Sequence, residues 1–275
     1  TGDRVVIGDE VEVVRAADDS SIVEGVYQRR SQVVRSGVGG RRPKVVAANV
    51  DRLLVVVAAV RPEPRQALLD RLLVVGEANH LAPILVMNKV DLAQPGCGEG
   101  TREEPTRRSA RGLLALYRGI GYPAVETSAQ TGQGLDLLRK LLEGGISALV
   151  GPSGAGKSSL LNALEPGLGL RTGDLSHRKG GGRHTTVSAR LLSLSCGALV
   201  ADTPGFSDVG VWGVRSQDLG ACFPEFLAYH EECRFRGCTH LHEPGCRVRE
   251  ALDQGAIDPV RFQSYRTLVE EAAGA

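Results

Sequence analysis

The spacing of apolar and polar positions changes along the chain and divides it into regions. In residues 1–42, apolar positions alternate with polar ones in "DRVVIGDEVEVVRA" and again in "SSIVEGVYQRR", after the turn-prone "ADDSS". Alternation of this kind is typical of short β-strands. Residues 1–42 are therefore predicted to form an all-β segment.

Strands and helices are predicted to alternate over residues 43–208. Leu53–Val60 is an unbroken, β-branched apolar run, as in a buried strand, and Arg65–Ala78 carries leucines at helical spacing. Further strands are predicted in "APILVMNKVD", "YPAVETSA", "ISALVG" and "ALVADTPG", and further helices in Glu103–Ile120, "GLDLLRKLLEGG" and Lys157–Leu164. The alternation predicts an α/β domain, a mostly parallel sheet with helices on both faces, whose ligands bind at the carboxyl ends of the strands.

The last region, residues 209–275, has a different character. Cysteine, histidine and proline cluster there, and Pro259–Ala273 is predicted to be one terminal helix. We therefore expect three domains: an N-terminal β segment (1–42), an α/β domain (43–208) and a helical domain (209–275).

A phosphate-binding loop stands in the middle of the chain, at "GPSGAGKSSLLN" (Gly151–Asn162). It follows an apolar strand and precedes an apolar helix, the context that the Gly-x-x-x-x-Gly-Lys-Ser motif requires. The glycines let backbone N–H groups wrap the phosphates, and the helix adds the positive end of its dipole. Lys157 is predicted to reach the β- and γ-phosphates and to serve catalysis, and the Ser158 hydroxyl to bind Mg²⁺. The residues predicted to bind the phosphates are Gly151, Ser153, Gly154, Ala155, Gly156, Lys157, Ser158 and Ser159.

Guanine is the base that a second motif favours. "NKVD" follows a predicted strand about sixty residues before the phosphate loop. The carboxylate of Asp91 can accept hydrogen bonds from N1–H and the 2-amino group of guanine, a donor pair that adenine lacks. The Asn would contact the base edge unless it merely caps a turn, the Lys would lie over the ring, and "TSAQTG" would complete the pocket. The predicted base-binding residues are Asn88, Lys89, Asp91, Ser128 and Ala129.

Magnesium and the γ-phosphate are expected to bind two further segments. In "DTPG", Asp202 would hold Mg²⁺ and the Gly205 N–H would sense the γ-phosphate. The glycine-rich, basic "RKGGGRHTT" suits a switch loop that closes on the nucleotide. Thr185 or Thr186 would supply a second hydroxyl to the metal beside Ser158, with Thr186 preferred.

The residue that orients the attacking water is harder to identify. Many GTPases place a glutamine directly after the DxxG glycine, but Phe206 occupies that position here. Hydrolysis by the chain alone should therefore be slow. His184 is the best candidate to orient the water, although it could instead contact RNA or be solvated. His177 is a weaker candidate.

A cluster of metal-binding residue types lies in "CRFRGCTHLHEPGC". The predicted ligands are Cys233, Cys238, His240 and Cys246, with His242 as an alternative to His240. Three thiolates and one imidazole suit a closed, tetrahedral and therefore structural Zn²⁺ site. Disulfides are the alternative. The surrounding arginines, either solvated or in contact with nucleic acid, are Arg234, Arg236, Arg247 and Arg249.

Overall charge favours no class of partner, because the formal net charge is +1. The segment Gln28–Lys44 is locally basic, as in a solvated loop or a surface that contacts phosphate backbones.

No apolar run approaches the ~20 residues of a membrane span, and no signal peptide opens the sequence. We therefore expect a cytoplasmic protein with no membrane association.

The order of the motifs is that of a circular permutation, because the base motif precedes the phosphate loop. In this order the chain resembles the circularly permuted GTPases, specifically the RsgA (YjeQ) family of GTPases that depend on the small ribosomal subunit. The segments that carry the resemblance are "ANVDRLLVV", "NKVDL", "GPSGAGKSSLLN", "GGRHTT", "DTPGF" and the Cys/His cluster.

The resemblance implies an N-terminal OB-fold, a permuted GTPase domain and a C-terminal zinc domain in which His240 rather than His242 binds the metal. It implies a role in late maturation of the small ribosomal subunit, which stimulates hydrolysis. As an alternative to His184, the RNA of that subunit could order the catalytic site in trans. The partners implied are GTP or GDP, that subunit and its rRNA, and we expect a monomer. Because "TGDRVVIGDEV" resembles an internal strand of the barrel, we expect a partial OB-fold, which puts OB-dependent RNA binding in doubt.

Two other functions compete with a GTP-hydrolysing assembly factor. A zinc-containing RNA-binding module could use GTP only as a conformational ligand, and Phe206 favours that alternative. A P-loop kinase of a small molecule is the third, and the guanine motif argues against it.

Overall fold

The computed structural model describes residues 4–16, 18–35, 44–93, 108–170, 190–202 and 214–273. Its strands are β1 (Val11–Arg15), β2 (Ser21–Val26), β3 (Gln32–Arg35), β4 (Lys44–Ala48), β5 (Arg52–Ala58), β6 (Ala82–Asn88), β7 (Ala124–Glu126), β8 (Ile146–Val150), β9 (Arg190–Ser193) and β10 (Leu199–Asp202). Its α-helices are α1 (Gln66–Ala78), α2 (Ala110–Ile120), α3 (Leu135–Leu142), α4 (Lys157–Leu164), α5 (Pro224–His230), α6 (Arg247–Asp253) and α7 (Pro259–Ala273). None of these helices combines the length and apolar character that crossing a membrane requires.

A six-stranded sheet forms the centre of the α/β domain, in the order β7-β6-β5-β8-β10-β9. Every neighbouring pair is parallel except β10 and β9, which are antiparallel. The prediction of a mostly parallel sheet is thus confirmed. The antiparallel edge strand β9 was not predicted, because its four residues carry only a short apolar pair.

Both faces of the sheet are covered, as the side chains of β5 show. Leu53 and Val55 pack into a core with the buried leucines of α1 and α2, whereas Leu54 and Val56 pack into a second core with those of α3 and α4. Successive residues of a strand point to opposite faces. A strand buried on both faces must be apolar throughout, which explains its unbroken run of apolar residues.

The start of α2 differs from the predicted one. Arg108 and Ser109 are not helical, so the prediction of a single helix over Glu103–Ile120 is wrong at this point. Helix α2 begins at Ala110, where the Ser109 hydroxyl accepts a hydrogen bond from the N–H of Gly112 at 3.1 Å. This cap satisfies an N–H group that has no partner inside the helix, and so fixes its first turn.

The N-terminal β region consists of two antiparallel pairs among the described residues, β1 with β2 and β3 with β4. Because β4 pairs with β3 rather than with the central sheet, this region continues to Ala48. Asn49 follows and ties it together: its side chain donates to the carbonyl oxygen of Gly8 and accepts from the N–H of Arg30, both at 2.8 Å. The predicted all-β character of this segment is confirmed.

The C-terminal helices pack against the α/β domain around a buried charge. Arg261 of α7 is 0% exposed. Its guanidinium donates to Asp70 of α1 at 2.8 Å and to both carboxylate oxygens of Glu225 of α5 at 2.7 and 3.0 Å. The Tyr117 hydroxyl of α2 also donates to Asp70, at 2.5 Å. We call these four residues the Arg261 network.

An aromatic ring completes this environment. The guanidinium carbon lies 4.5 Å from the ring centroid of Phe223, within cation–π range. Burial alone would lower the pKa of Arg261, but the hydrogen bonds and charges of Glu225 and Asp70 raise it above its usual value. The cation is therefore paired with two carboxylates and one aromatic ring, which offsets the cost of burying its charge.

Replacing Arg261 should destabilise the fold because it leaves two carboxylates buried without their partner. We expect Arg261→Met to lower the free energy of unfolding by about 3–5 kcal/mol, measured by urea denaturation. Arg266→Met on the same helix is the matched control. The Arg266 side chain is 52% exposed, and its contact with Glu270 is long, at 3.7 Å. Such an exposed ion pair contributes about 0–1 kcal/mol. Equal losses in the two variants would contradict this account.

Candidate nucleotide and metal sites

The predicted nucleotide motifs lie at one edge of the central sheet. Strands β5, β6, β7, β8 and β10 are mutually parallel, so their carboxyl ends meet at this edge. "NKVD" begins at the last residue of β6, "TSA" directly follows β7, the phosphate loop directly follows β8, and β10 ends at Asp202. This is the edge at which open parallel sheets bind their ligands.

The phosphate loop is shaped by glycines that no other residue could replace without displacing a neighbour. Gly151 has φ 142°, and a Cβ on it would lie 1.9 Å from the carbonyl oxygen of Val56. Gly156 has φ 87°, and a Cβ there would lie 2.5 Å from Nδ2 of Asn88. The first glycine lets the loop leave β8 directly against β5, and the second lets α4 begin against the base motif.

The lysine of the loop is folded back over it. Nζ of Lys157 donates to the carbonyl oxygens of Gly151 at 2.6 Å and Pro152 at 3.0 Å. Ser158 follows in the first turn of α4 and is buried. The remaining predicted loop residues differ in exposure: Ser153 and Gly154 are exposed, Ala155 is buried, and Ser159 is half-buried.

Asn88 joins the base motif to both neighbouring loops. Its Nδ2 donates to the carbonyl oxygen of Ala155 in the phosphate loop at 3.1 Å. Its Oδ1 accepts from Oγ1 of Thr127 and from the N–H of Ala129, both at 3.3 Å. The side chain is 1% exposed, so these bonds are not exchanged for bonds to water. The structure thus assigns Asn88 a role in holding three loops together, and its predicted contact with the base remains a prediction.

Lys89 reinforces the same junction. It adopts a left-handed backbone with φ 64°, and its Nζ donates to the carbonyl oxygens of Gly154 at 2.6 Å and Arg61 at 2.9 Å. Asp91 lies in a 3-10 turn over Val90–Leu92 and is exposed. In the third loop, Oγ of buried Ser128 accepts from the N–H of Thr131 at 3.1 Å.

Two residues of this site were missed in the sequence. Thr127 is fully buried and its hydroxyl bonds to Asn88, and Gly134 has φ 72°, with a Cβ position 1.9 Å from the carbonyl oxygen of Glu126. Gly134 therefore lets the loop return against β7. The sequence did contain a signal for Gly134, because a glycine stands at the end of "TSAQTGQG", just before a predicted helix.

Several predicted residues cannot be placed in this site. His177, His184, Thr185, Thr186, Gly205 and Phe206 lie outside the described residues, and only the backbone of Asp202 is described. Their roles stay predictions.

The four predicted metal ligands come together in the C-terminal region. One donor atom from each of Cys233, Cys238, His240 and Cys246 lies within 4.8 Å of all the others. Three thiolates and one imidazole gathered this closely are the donor set of a tetrahedral structural zinc site. His242 is exposed and lies outside the cluster, and each of the five described cysteines is free, which excludes the disulfide alternative for them.

Local backbone geometry brings the ligands together. Cys233 follows the end of α5, Cys246 is the N-cap of α6, and His240 has a left-handed backbone with φ 59°. The Nδ1 atom of His240 lies 3.3 Å from the sulfur of Cys246 and 3.7 Å from that of Cys233. Burial lowers the pKa of His240 to about 4, and His230 acts in the same direction. The imidazole is therefore neutral, the form that coordinates metals.

The carboxyl edge of the sheet carries a phosphate loop and, beside it, a guanine-type base motif. The base motif comes first in the chain, which is the arrangement of a circularly permuted GTPase.

The family model for the RsgA GTPase matches residues 26–212. Two relatives are named "Small ribosomal subunit biogenesis GTPase RsgA". The one from Gemmatimonas aurantiaca is 43% identical over 274 residues, 98% of this chain and 85% of the relative. The one from Geobacillus sp. (strain WCH70) is 41% identical over 266 residues, 97% of this chain and 84% of the relative.

Two solved structures have the same fold over almost the whole chain. YjeQ from Thermotoga maritima is 35% identical with a TM-score of 0.79, covering 99% of this chain and 86% of that one. YloQ, described as a circularly permuted GTPase, is 31% identical with a TM-score of 0.75, covering 98% and 82%. The chain belongs to the RsgA GTPase family, and the predicted family and fold class are confirmed.

The role of Asn88 can be tested without any nucleotide. We expect Asn88→Ala to lower the free energy of unfolding by about 1–3 kcal/mol, because it leaves the buried carbonyl of Ala155 without its donor. Asp91→Ala, in the same motif but at an exposed position, should change it by less than about 0.5 kcal/mol. The measurement is urea denaturation of the nucleotide-free chains. Equal stability of the two variants would show that the contacts of Asn88 do not hold the loops.

Proposed function

We propose that this chain hydrolyses GTP and assists late maturation of the small ribosomal subunit, which stimulates the hydrolysis. The observation that carries the proposal is the junction at Asn88, which joins a phosphate loop and a guanine-type loop in a member of the RsgA GTPase family. The curated relatives are named for biogenesis of this subunit. Action on the ribosome would place the chain in the cytoplasm, and we propose that it acts as a monomer.

The phosphates would bind in the loop between β8 and α4. Lys157 would exchange its carbonyl partners for oxygens of the β- and γ-phosphates, and the positive end of α4 would face the same charge. Mg²⁺ would supply charge neutralisation there. We assign phosphate contacts to Gly151, Ser153, Gly154, Ala155, Gly156, Lys157, Ser158, Ser159 and Gly205, and Mg²⁺ binding to Ser158, Asp202 and either Thr185 or Thr186.

Guanine would bind against the loops that follow β6 and β7. The carboxylate of Asp91 is exposed and can therefore reach a base. The hydrogen bond from the N–H of Ala129 to Asn88 holds the loop after β7 beside the base motif. The bonds of Lys89 to Gly154 and Arg61 hold its side chain across the phosphate loop. Recognition of the base and binding of the phosphates are therefore mechanically joined. The base-binding residues in this proposal are Asn88, Lys89, Asp91, Ser128 and Ala129.

The step that orients the attacking water depends on a group brought into place by the partner. With Phe206 at the position where many GTPases carry glutamine, the chain supplies no amide there. We propose that His184 orients the water when the chain is bound to the small ribosomal subunit. Hydrolysis by the isolated chain should therefore be slow.

Zinc is the metal that the Cys/His cluster fits, since three thiolates and one imidazole close a tetrahedral shell and leave no position for a substrate. Its role would be structural, fixing the end of α5 against the start of α6. Arg234, Arg236 and Arg249 are exposed around the cluster, and the Arg234 guanidinium lies 5.5 Å from the ring centroid of exposed Phe235. Exposed cations beside an aromatic ring suit contact with rRNA.

Hydrolysis in the presence of ribosomal subunits tests the main proposal. GTP turnover should be slow for the chain alone and rise about 100-fold or more with purified small subunits, because groups supplied in trans can contribute that much. Large subunits are the control for the partner, and Lys157→Ala is the control for the enzyme. Tight GTP binding with no turnover under any condition would instead support an RNA-binding module that uses GTP as a conformational ligand.

The base-binding assignment can be tested by changing the hydrogen-bonding pattern of Asp91. Asp91→Asn should weaken GTP binding about 10- to 100-fold, because charge-assisted hydrogen bonds become neutral ones. It should strengthen binding of xanthosine triphosphate, whose C2 carbonyl can accept from the new amide. The measurement is the dissociation constant of each nucleotide for each variant. Asp136→Asn, at an exposed acid on α3, should leave both constants unchanged, and an unchanged preference for GTP in Asp91→Asn would refute the assignment.

A further inference from the structure

We propose that His230 is a positioning residue of the metal centre, which holds the imidazole of His240 in the orientation and tautomer that bind the metal. His230 is the last residue of α5 and does not belong to the Cys/His cluster itself. Its Nδ1 lies 2.9 Å from Nε2 of His240. The inference concerns metal affinity and does not depend on the proposed role at the ribosome.

The two ring nitrogens of His240 face different partners. Its Nδ1 lies 3.3 and 3.7 Å from two of the cluster sulfurs, whereas its Nε2 faces His230. A metal can bind only the nitrogen that carries no proton. With the metal on Nδ1, the proton resides on Nε2, and Nε2–H donates to Nδ1 of His230. A hydrogen bond from the second nitrogen of a ligating histidine to a fixed acceptor is the usual way in which proteins select the tautomer.

The backbone of His230 supports the same centre. Its carbonyl oxygen accepts a hydrogen bond from the N–H of Cys233 at 3.3 Å, and the sulfur of Cys233 lies 3.7 Å from the carbonyl oxygen of Tyr229. The last turn of α5 thus positions one ligand through its backbone and a second ligand through the His230 side chain. This double contact links the end of the helix to two of the four donors.

The packing around the imidazole pair leaves room for this hydrogen bond. Phe226, one turn earlier in α5, meets the His240 ring edge-to-face with centroids 5.9 Å apart. On another side lies Gly220, where a Cβ would sit 3.2 Å from Nε2 of His240 and 3.8 Å from Nδ1 of His230. A larger residue at Gly220 would crowd the hydrogen-bonded pair. The glycine, the phenylalanine and His230 therefore restrict the ring together.

Metal affinity of purified variants tests the inference. The variants are His230→Leu, which removes the acceptor, His230→Asn, whose Oδ1 can replace Nδ1 of the imidazole, and His242→Leu, the matched control at an exposed histidine outside the cluster. Zn²⁺ affinity would be measured by competition with a chromogenic chelator. The absorption spectrum of the Co²⁺-loaded chains would report the geometry of the donors. GTP affinity of each variant would show that the nucleotide domain is folded.

We expect His230→Leu to weaken Zn²⁺ binding about 10- to 100-fold and to change the Co²⁺ spectrum. His230→Asn should recover most of the lost affinity, and His242→Leu should match the parent chain. Parental affinity and spectrum in His230→Leu would overturn the inference. So would failure of His230→Asn to bind better than His230→Leu, or absence of tight Zn²⁺ binding by the parent chain. None of these outcomes bears on GTP hydrolysis, so failure of this inference is distinguishable from failure of the proposed function.

Discussion

The pairing of β5 with β8 is the constraint on which the site depends. Arg52–Val55 pair with Ser147–Val150 in parallel, and this contact joins two halves of the sheet that come from successive stretches of the chain. Strands β5, β6 and β7 form the base half of the sheet, and β8, β10 and β9 form the phosphate half. Asn88 and Lys89 cross the junction at the carboxyl edge. A shift of one residue in the register would reverse the faces of β8 and separate these loops.

The C-terminal domain bridges the same two halves in a different way. Its chain continues from the phosphate half, but its packing is against the base half, since Arg261 binds Asp70 of α1, and Asp70 binds Tyr117 of α2. Further contacts agree, because Arg71 of α1 binds Glu271 at 2.6 Å and Gln66 binds Asp258 at 3.2 Å. The metal-binding region is thus covalently connected to one half and held to the other by a buried ion pair.

The sequence predicted those features that local pattern determines. The alternation of β5 to β8 with α1 to α4, both ends of α7 and the grouping of three cysteines followed from periodicity and spacing, because each depends on neighbouring residues. Strand β9 and helices α5 and α6 were not predicted. The choice between His240 and His242 rested on family resemblance until the structure placed His242 outside the cluster. Contacts between distant residues were not predictable: nothing near Arg261 indicates that its partner Asp70 lies 191 residues away, and nothing in "NKVD" indicates a bond to Ala155.

The separation of Asp70 from Arg261 has a consequence for how the chain is made. At about 5–20 residues per second, a ribosome that has polymerised Asp70 needs about 10 to 40 s to reach Arg261, 191 residues later. Throughout that interval the carboxylate of Asp70 lacks the guanidinium that pairs with it in the folded chain, so we expect this surface of α1 to stay hydrated. Pairing of Asp70 with Arg261 therefore follows the synthesis of α7, and docking of the last helix is expected to be a late step of folding.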